Sequence, residues 1–289
     1  MSFFVIVLFG VIQGITEFLP ISSFAHLFLA GRLLGAGEGE NLLWVCMFHL
    51  GTALAILATF RKDFGKIALA ALDMGLDLIH NIYIYLHNRR SVEVTLPYTR
   101  IIVGAYRKLA ALLLLSTACT FMIGFSARRL VALSTQSVLI PGGCTLISGI
   151  FLLVADLGRP EEEKSLKESG FDSAMWMGIC QGLSVFPGLS RSALTICAGE
   201  FTGLGRKFAV KLSYMMSVPV VFGAFWLEAL LKPADISASG MLPSLIGAVF
   251  FSFLFGMLVI RFMLRLLGTV KFRYFALYSI VIGVIILLM

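Results

Sequence analysis

The chain has 289 residues, 59% of them hydrophobic and 13% charged, with a mean hydropathy of +0.96; soluble domains carry roughly 25% charged residues, so a soluble domain is excluded and an all-α polytopic membrane protein is expected. The net charge of +7 has no basic domain through which to bind nucleic acid and belongs to loops that obey the positive-inside rule. Cys46, Cys119, Cys144, Cys180 and Cys197 are scattered, odd in number and without CxxC spacing, which argues against a disulfide framework or zinc site and for small packing residues.

Taken in order, residues 3–12 and 21–35 are apolar but too short to cross a bilayer, which needs about 20 residues of helix. With Pro20 between them, residues 3–35 are predicted to form a re-entrant hairpin. No basic n-region or small-residue cleavage site marks a signal peptide, so this segment is kept in the fold. A span over about 42–60 stops at Arg61-Lys62-Asp63. The stretch 64–88 is long enough to cross, yet it carries Asp73, Asp77, His80 and His87 on one helix face. An Asp near a helix centre costs about 2.5–3.5 kcal/mol on insertion scales, so an amphipathic helix in the headgroup plane is expected. Its polar stripe reads as a solvated face before it reads as a metal site. Spans follow over about 109–126 and 137–157, then a charged loop at 161–168. A second hairpin over 174–203, broken at Pro187-Gly188, precedes spans over about 208–231, 242–263 and 272–289.

The two breaks are copies of each other. Gln13-Gly-Ile-Thr-Glu17-Phe-Leu-Pro20-Ile-Ser22-Ser23-Phe-Ala-His26 aligns without gaps to Gln181-Gly-Leu-Ser184-Val-Phe186-Pro187-Gly188-Leu-Ser190-Arg191-Ser192-Ala-Leu194, 168 residues later. The chain therefore divides into repeats over 1–160 and 161–289, each a re-entrant hairpin plus three transmembrane helices. Three crossings between the copies put the second on the opposite side of the membrane, so two inverted-topology repeats are expected, with their broken tips meeting near the midplane. Sixteen Lys and Arg on one set of loops against four on the other put the richer set in the cytoplasm and both termini outside.

Each break restarts a helix at a serine, Ser22 or Ser23 in the first copy and Ser190 in the second, a favoured N-cap. A helix start presents unpaired N–H groups and partial positive charge, which suits phosphate. Two such starts with Arg191, whose planar fork matches phosphate oxygens, make an anion cradle in lipid. The ligand implied is an amphiphile with an anionic head, or a translocated anion. Glu17 and His26 flank the first break and are candidates for general base or metal ligand and for nucleophile or proton donor. Gln13 lies one turn from Glu17 and faces the same way. The plainer reading is that Glu17 and His26 cap half-helices or pair with Arg191. His49, inside the span over 42–60, reads either as a residue supporting the site from behind or, slightly ahead of that, as a hydrogen-bonded interior histidine.

The segments Gln13-Gly-Ile-Thr-Glu-Phe-Leu-Pro-Ile-Ser-Ser and Phe186-Pro-Gly-Leu-Ser-Arg-Ser resemble the two signature motifs of the undecaprenyl-diphosphate phosphatase (bacitracin-resistance) family, and Phe48-His-Leu-Gly-Thr-Ala-Leu-Ala is similar to its stretch after the first motif. The resemblance covers nearly the whole chain and is weakest over 64–107. It implies hydrolysis of a C55 isoprenoid diphosphate to its monophosphate with a divalent cation, Mg²⁺ or Ca²⁺. The setting it implies is the bacterial plasma membrane, with the site open toward the outer leaflet and the cell-wall lipid carrier recycled. It implies that Glu17 is the essential acid and, with Gln13, a metal ligand. Ser23 and His26 are its catalytic serine and histidine, Arg191 its phosphate-binding arginine, and Ser22, Ser190, Ser192 and Thr195 the polar shell. Ala25 and Ala193 stand where the family usually has glycine, and Glu200 is unexpected and is read as pairing with a nearby cation. The rival readings are a transporter or flippase for an anionic lipid or small anion, and an inactive relative; a homodimer is left open.

Overall fold

The computed structural model describes residues 2–36, 42–90, 95–134, 137–158, 163–231 and 241–289. Its regular structure is helical, as a chain with so little water to satisfy its backbone requires. The eleven helices described are α1 Phe3–Thr16, α2 Ser23–Leu34, α3 Leu42–Thr59, α4 Arg61–Arg90, α5 Ala105–Ser134, α6 Leu139–Leu157, α7 Phe171–Leu183, α8 Arg191–Phe201, α9 Arg206–Leu231, α10 Leu242–Leu267 and α11 Phe272–Leu287. The expected hairpins are α1–α2 and α7–α8. The boundary between the halves expected at 160/161 lies outside the described residues, as does Lys232, one of the four basic residues on the poorer side.

Small residues set the packing. Gly10 and Gly14 on α1 lie against α10, where a Cβ on Gly14 would come within 2.6 Å of the Phe255 Cβ and 2.9 Å of the Gly256 nitrogen. Gly178 and Gly182, at the equivalent places on α7, lie against α5, where a Cβ on Gly182 would come within 2.7 Å of the Ile123 Cβ. Each is a Gly-x-x-x-Gly face that lets backbones approach, the usual device for packing helices in lipid. The α6 and α11 helices also pack closely and run antiparallel, Gly142 beside Leu287 and Gly149 beside Ala276 and Ile280. Between these pairs α3 and α9 meet. Enclosed by α6, α7 and α9, every residue of α8 from Ser192 to Glu200 is buried, so its polar members Ser192, Thr195 and Glu200 must find partners inside the protein.

The α4 helix, Arg61–Arg90, is slightly longer than expected. It begins at Arg61 rather than near 64, and by length and composition it is one of five described helices able to cross a membrane. The chain that follows brings it straight back. Asn88 grips the Leu96 backbone through both its amide atoms, at 2.9 and 2.7 Å, and Asn81 grips Thr99 in the same way at 2.8 Å. Seven helical residues and three extended ones both cover about 10 Å, so the two asparagines pin the return segment along the helix. Arg107 then binds Asp77, and Tyr106 Oη donates to Asp63 Oδ1 at 3.2 Å, beside the start of α4. The excursion ends where it began. The returning segment is extended and exposed along 97–100. The polar stripe is thus not simply solvated: Asp73 and Asp77 face Arg107, at 3.8 Å for Asp73.

Candidate active site

Both breaks are serine-capped helix starts. Ser22 Oγ accepts from the Ala25 N–H and Ser190 Oγ from the Ala193 N–H, each at 3.2 Å. Ser22, not Ser23, is the cap of α2, and it has φ +61°, the only positive value at a non-glycine residue among those described. In the second copy the positive φ falls on Gly188, at +94°. Ala25 and Ala193 lie in the first helical turn and are fully buried, so an L-residue takes that backbone without strain.

Carbonyls freed by the breaks are satisfied from other helices. Tyr214 on α9 donates to the Phe18 carbonyl, and Ser192 Oγ donates to the Leu19 carbonyl at 2.8 Å, tying one elbow directly to the other. From α6, Thr145 Oγ1 donates to the Gly188 carbonyl at 3.2 Å and Ser148 Oγ accepts from the Ser190 N–H at 2.8 Å.

The elbows converge on the Glu17 carboxylate. Arg191 Nη2 donates to Glu17 Oε1 at 2.7 Å, and Ser23 Oγ donates to Oε2 at 2.9 Å. Ser23 and Arg191 hold equivalent places in the two copies, each the first residue of its helix. Gln13 Nε2 also donates to Oε2, at 2.9 Å. His49 Nδ1 lies 3.1 Å from Oε2 and 3.0 Å from Gln13 Nε2: protonated, it serves the carboxylate; unprotonated, it accepts from the amide. Arg191 is held from behind, donating through Nη1 to the Ser213 carbonyl at 3.0 Å. Ser213 Oγ meets Thr195 Oγ1 at 2.6 Å, and Thr195 donates to the Arg191 carbonyl at 2.8 Å. Ser190 and Ser192 join through their hydroxyls at 3.3 Å. Gln13, Glu17, Ser23 and Arg191 are therefore one buried cluster, with Ser190, Ser192 and Thr195 around it.

His26 stands slightly apart. Its Nδ1 lies 2.7 Å from the Ser22 carbonyl oxygen and its Nε2 lies 2.8 Å from the Tyr278 hydroxyl on α11. Nothing in the sequence singles out Ser213, Tyr214 or Tyr278; of the two readings of His49, the structure bears out the supporting one, its ring lying against Glu17 and Gln13. One clue to His49 was available, its place in a stretch similar to the family. Glu200 does pair with a cation, Arg206, whose Nη2 lies 3.3 Å from Oε2 and whose guanidinium lies over the Phe272 ring.

No cluster of three or more His, Cys, Asp or Glu able to hold a metal occurs among the described residues. What the site offers is oxygen: the Glu17 carboxylate and, beside it, the buried Gln13 Oε1, which has no hydrogen-bond partner. Hard oxygen donors too few to form a cage fit Mg²⁺ or Ca²⁺ shared with phosphate oxygens, and Mg²⁺ in particular usually binds one or two carboxylates plus substrate phosphates.

Two elbows that meet within an all-α, multi-pass bundle, and pool an acid, an arginine and a serine, define an integral membrane protein with a buried polar site between its halves. A sequence profile of the family described as bacitracin resistance protein BacA matches residues 6–285, and the chain belongs to that family. It is 31% identical to an undecaprenyl-diphosphatase of Alkaliphilus metalliredigens, over 100% of this chain and 98% of the relative. With the undecaprenyl-diphosphatase of Methanosphaera stadtmanae it shares 33% identity over 96% of this chain and 95% of the relative. A third relative of that name, from Desulforapulum autotrophicum, is 32% identical over the same shares.

Proposed function

We propose that this chain is an integral-membrane phosphatase that hydrolyses undecaprenyl diphosphate to the monophosphate and phosphate, recycling the cell-wall lipid carrier and so conferring bacitracin resistance. The observation that carries the reading is the buried meeting of Arg191, Ser23 and Glu17 at two helix N-termini, in a chain of this family. The first side chains of two helices, Ser23 and Arg191, hold one carboxylate; the diphosphate of an amphiphile would offer the guanidinium and the two helix starts more negative charge. Ser23 donates to Glu17, the relation of a nucleophile to its base, and the His26 ring lies on the following turn. Attack by Ser23 or His26, followed by water that hydrolyses the phosphorylated side chain, or direct attack by water oriented between them, breaks the bond from the terminal phosphorus to the bridging oxygen and ends in free phosphate. The lipid monophosphate leaves, and Arg191 with the helix N–H groups stabilises the charge that develops. Glu17 and Gln13 would hold a divalent cation, which would neutralise diphosphate oxygens and polarise the scissile bond.

The inverted repeat is part of the same reading. It is supported by α6 and α11, equivalent helices that run antiparallel. The exchange of packing, α1 on α10 and α7 on α5, supports it too, as does the return of the chain along α4 to Asp63, which would bring it back to the side it left. In this arrangement α4 lies along the headgroups with its exposed Leu69, Leu72, Leu76 and Ile79 toward the acyl chains. The protein would sit in the plasma membrane with the first elbow entered from the outer leaflet.

The test is phosphate release from an isoprenoid diphosphate by purified wild type and His26→Ala, each with and without EDTA. Release by wild type that falls in the variant and with EDTA is expected. Release that is absent, or equal in both proteins, rules the reading out; equal lipid or anion translocation by both proteins would favour a transporter built on the same repeats.

A further inference from the structure

The bond between His26 and Tyr278 has a direction that the chemistry of its atoms fixes. Nδ1 faces the Ser22 carbonyl oxygen at 2.7 Å, and a carbonyl can only accept, so the hydrogen of the neutral ring is on Nδ1. Nε2 then carries the lone pair, and the Tyr278 hydroxyl, 2.8 Å away, donates to it. The two rings lie within 8° of parallel, with centroids 5.6 Å apart. Tyr278 is 43% exposed, so its hydroxyl is within reach of an amphiphile in the surrounding lipid. It belongs to α11, in the other half of the chain from His26.

We propose that Tyr278 is a positioning residue for the reaction, aiming His26 Nε2 through its O–H donor and releasing that nitrogen when the diphosphate enters. The inference rests on the phosphatase reading. The Ser22 carbonyl fixes which nitrogen is free; Tyr278 fixes where that nitrogen points. Between them the imidazole is held at both ends, one anchored to its own elbow and the other bridged across the repeats. A ring aimed in advance loses less freedom at the moment of reaction. The plainer role for a tyrosine here is an interfacial anchor, an amphipathic ring at headgroup level. That role needs the ring and its polar tip for stability, and it predicts no dependence on His26.

The test is Tyr278→Phe, which keeps the ring and removes only the donor, beside Tyr278→Leu, which removes both. Loss of one aligned hydrogen bond to the reacting ring is expected to lower kcat about 5–20-fold, with KM within about twofold and the melting temperature unchanged. On a His26→Ala background, Tyr278→Phe is expected to cost nothing further. In protein carrying ¹⁵N-labelled histidine, the Nε2 resonance that disappears in His26→Ala is expected to move toward that of an unbonded imidazole nitrogen in Tyr278→Phe. Wild-type release with Tyr278→Phe at the wild-type rate and an unmoved Nε2 resonance overturns the inference alone. No release by wild type overturns the phosphatase reading, and this inference with it.

Discussion

Arg191 Nη2 and Glu17 Oε1, 174 residues apart in the chain, meet at 2.7 Å, and that contact closes the two elbows on each other. Glu17 is 6% exposed and the Arg191 side chain 15%, so the pair is largely desolvated. Removing one partner of such a pair leaves an uncompensated buried charge, at a cost of about 3–5 kcal/mol. Glu17→Ala is therefore expected to lower the melting temperature in detergent sharply, and Glu17→Ala/Arg191→Ala to recover part of the loss. Arg191→Lys keeps the charge but cannot reach both Glu17 and the Ser213 carbonyl from one planar group. Its phosphate release is expected to fall by about 10²-fold, measured at saturating isoprenoid diphosphate.

At Ser22 the backbone itself is the constraint. With φ at +61°, a β-branched residue is strained by about 1–3 kcal/mol and also loses the cap to the Ala25 N–H, worth about 0.5–2 kcal/mol. Ser22→Val is expected to be markedly less stable than Ser22→Gly, which relieves the first cost and costs only a few tenths as a cap. Thermal unfolding of the two variants side by side checks this.

The glycine faces of α1 and α7 should tolerate nothing larger. Gly14→Leu drives a side chain at Phe255 and the Gly256 backbone, and overpacking of this kind costs about 1–3 kcal/mol. Gly182→Leu meets Ile123 and should behave alike. Gly75→Ala on α4 is the contrasting case: nothing lies within 4 Å of its added Cβ, and the exchange should stabilise the helix by about 0.5–1 kcal/mol. Unfolding midpoints of the three variants are the measurement.

The path of α4 predicts which side it labels from. In a background with the native cysteines replaced, a single cysteine at Gly75 is expected to react with a membrane-impermeant maleimide from the same side as one at Lys167, and from the side opposite a cysteine at Ser2. Labelling of Gly75→Cys and Lys167→Cys from opposite sides would contradict the return of the chain along Asn81 and Asn88.

What the sequence determined by itself is local or repeated. Pro20 and Pro187-Gly188 end helices through their immediate neighbours, Ser22 and Ser190 cap the next ones within three residues, and the gapless match of the two motifs pairs the hairpins before any contact is known. Acid, serine and guanidinium could be assigned to one site because they sit on matched elbows, each a break that restarts a helix at equivalent positions. Only the tertiary structure decided which side chains surround them. Ser213, Tyr214 and Tyr278 sit in helices whose composition is that of any membrane span, and their roles depend on which face α9 and α11 turn toward the elbows. That rotation is set by packing between helices far apart in the chain, as is the return of the 95–107 segment onto α4, and no short window of residues encodes either.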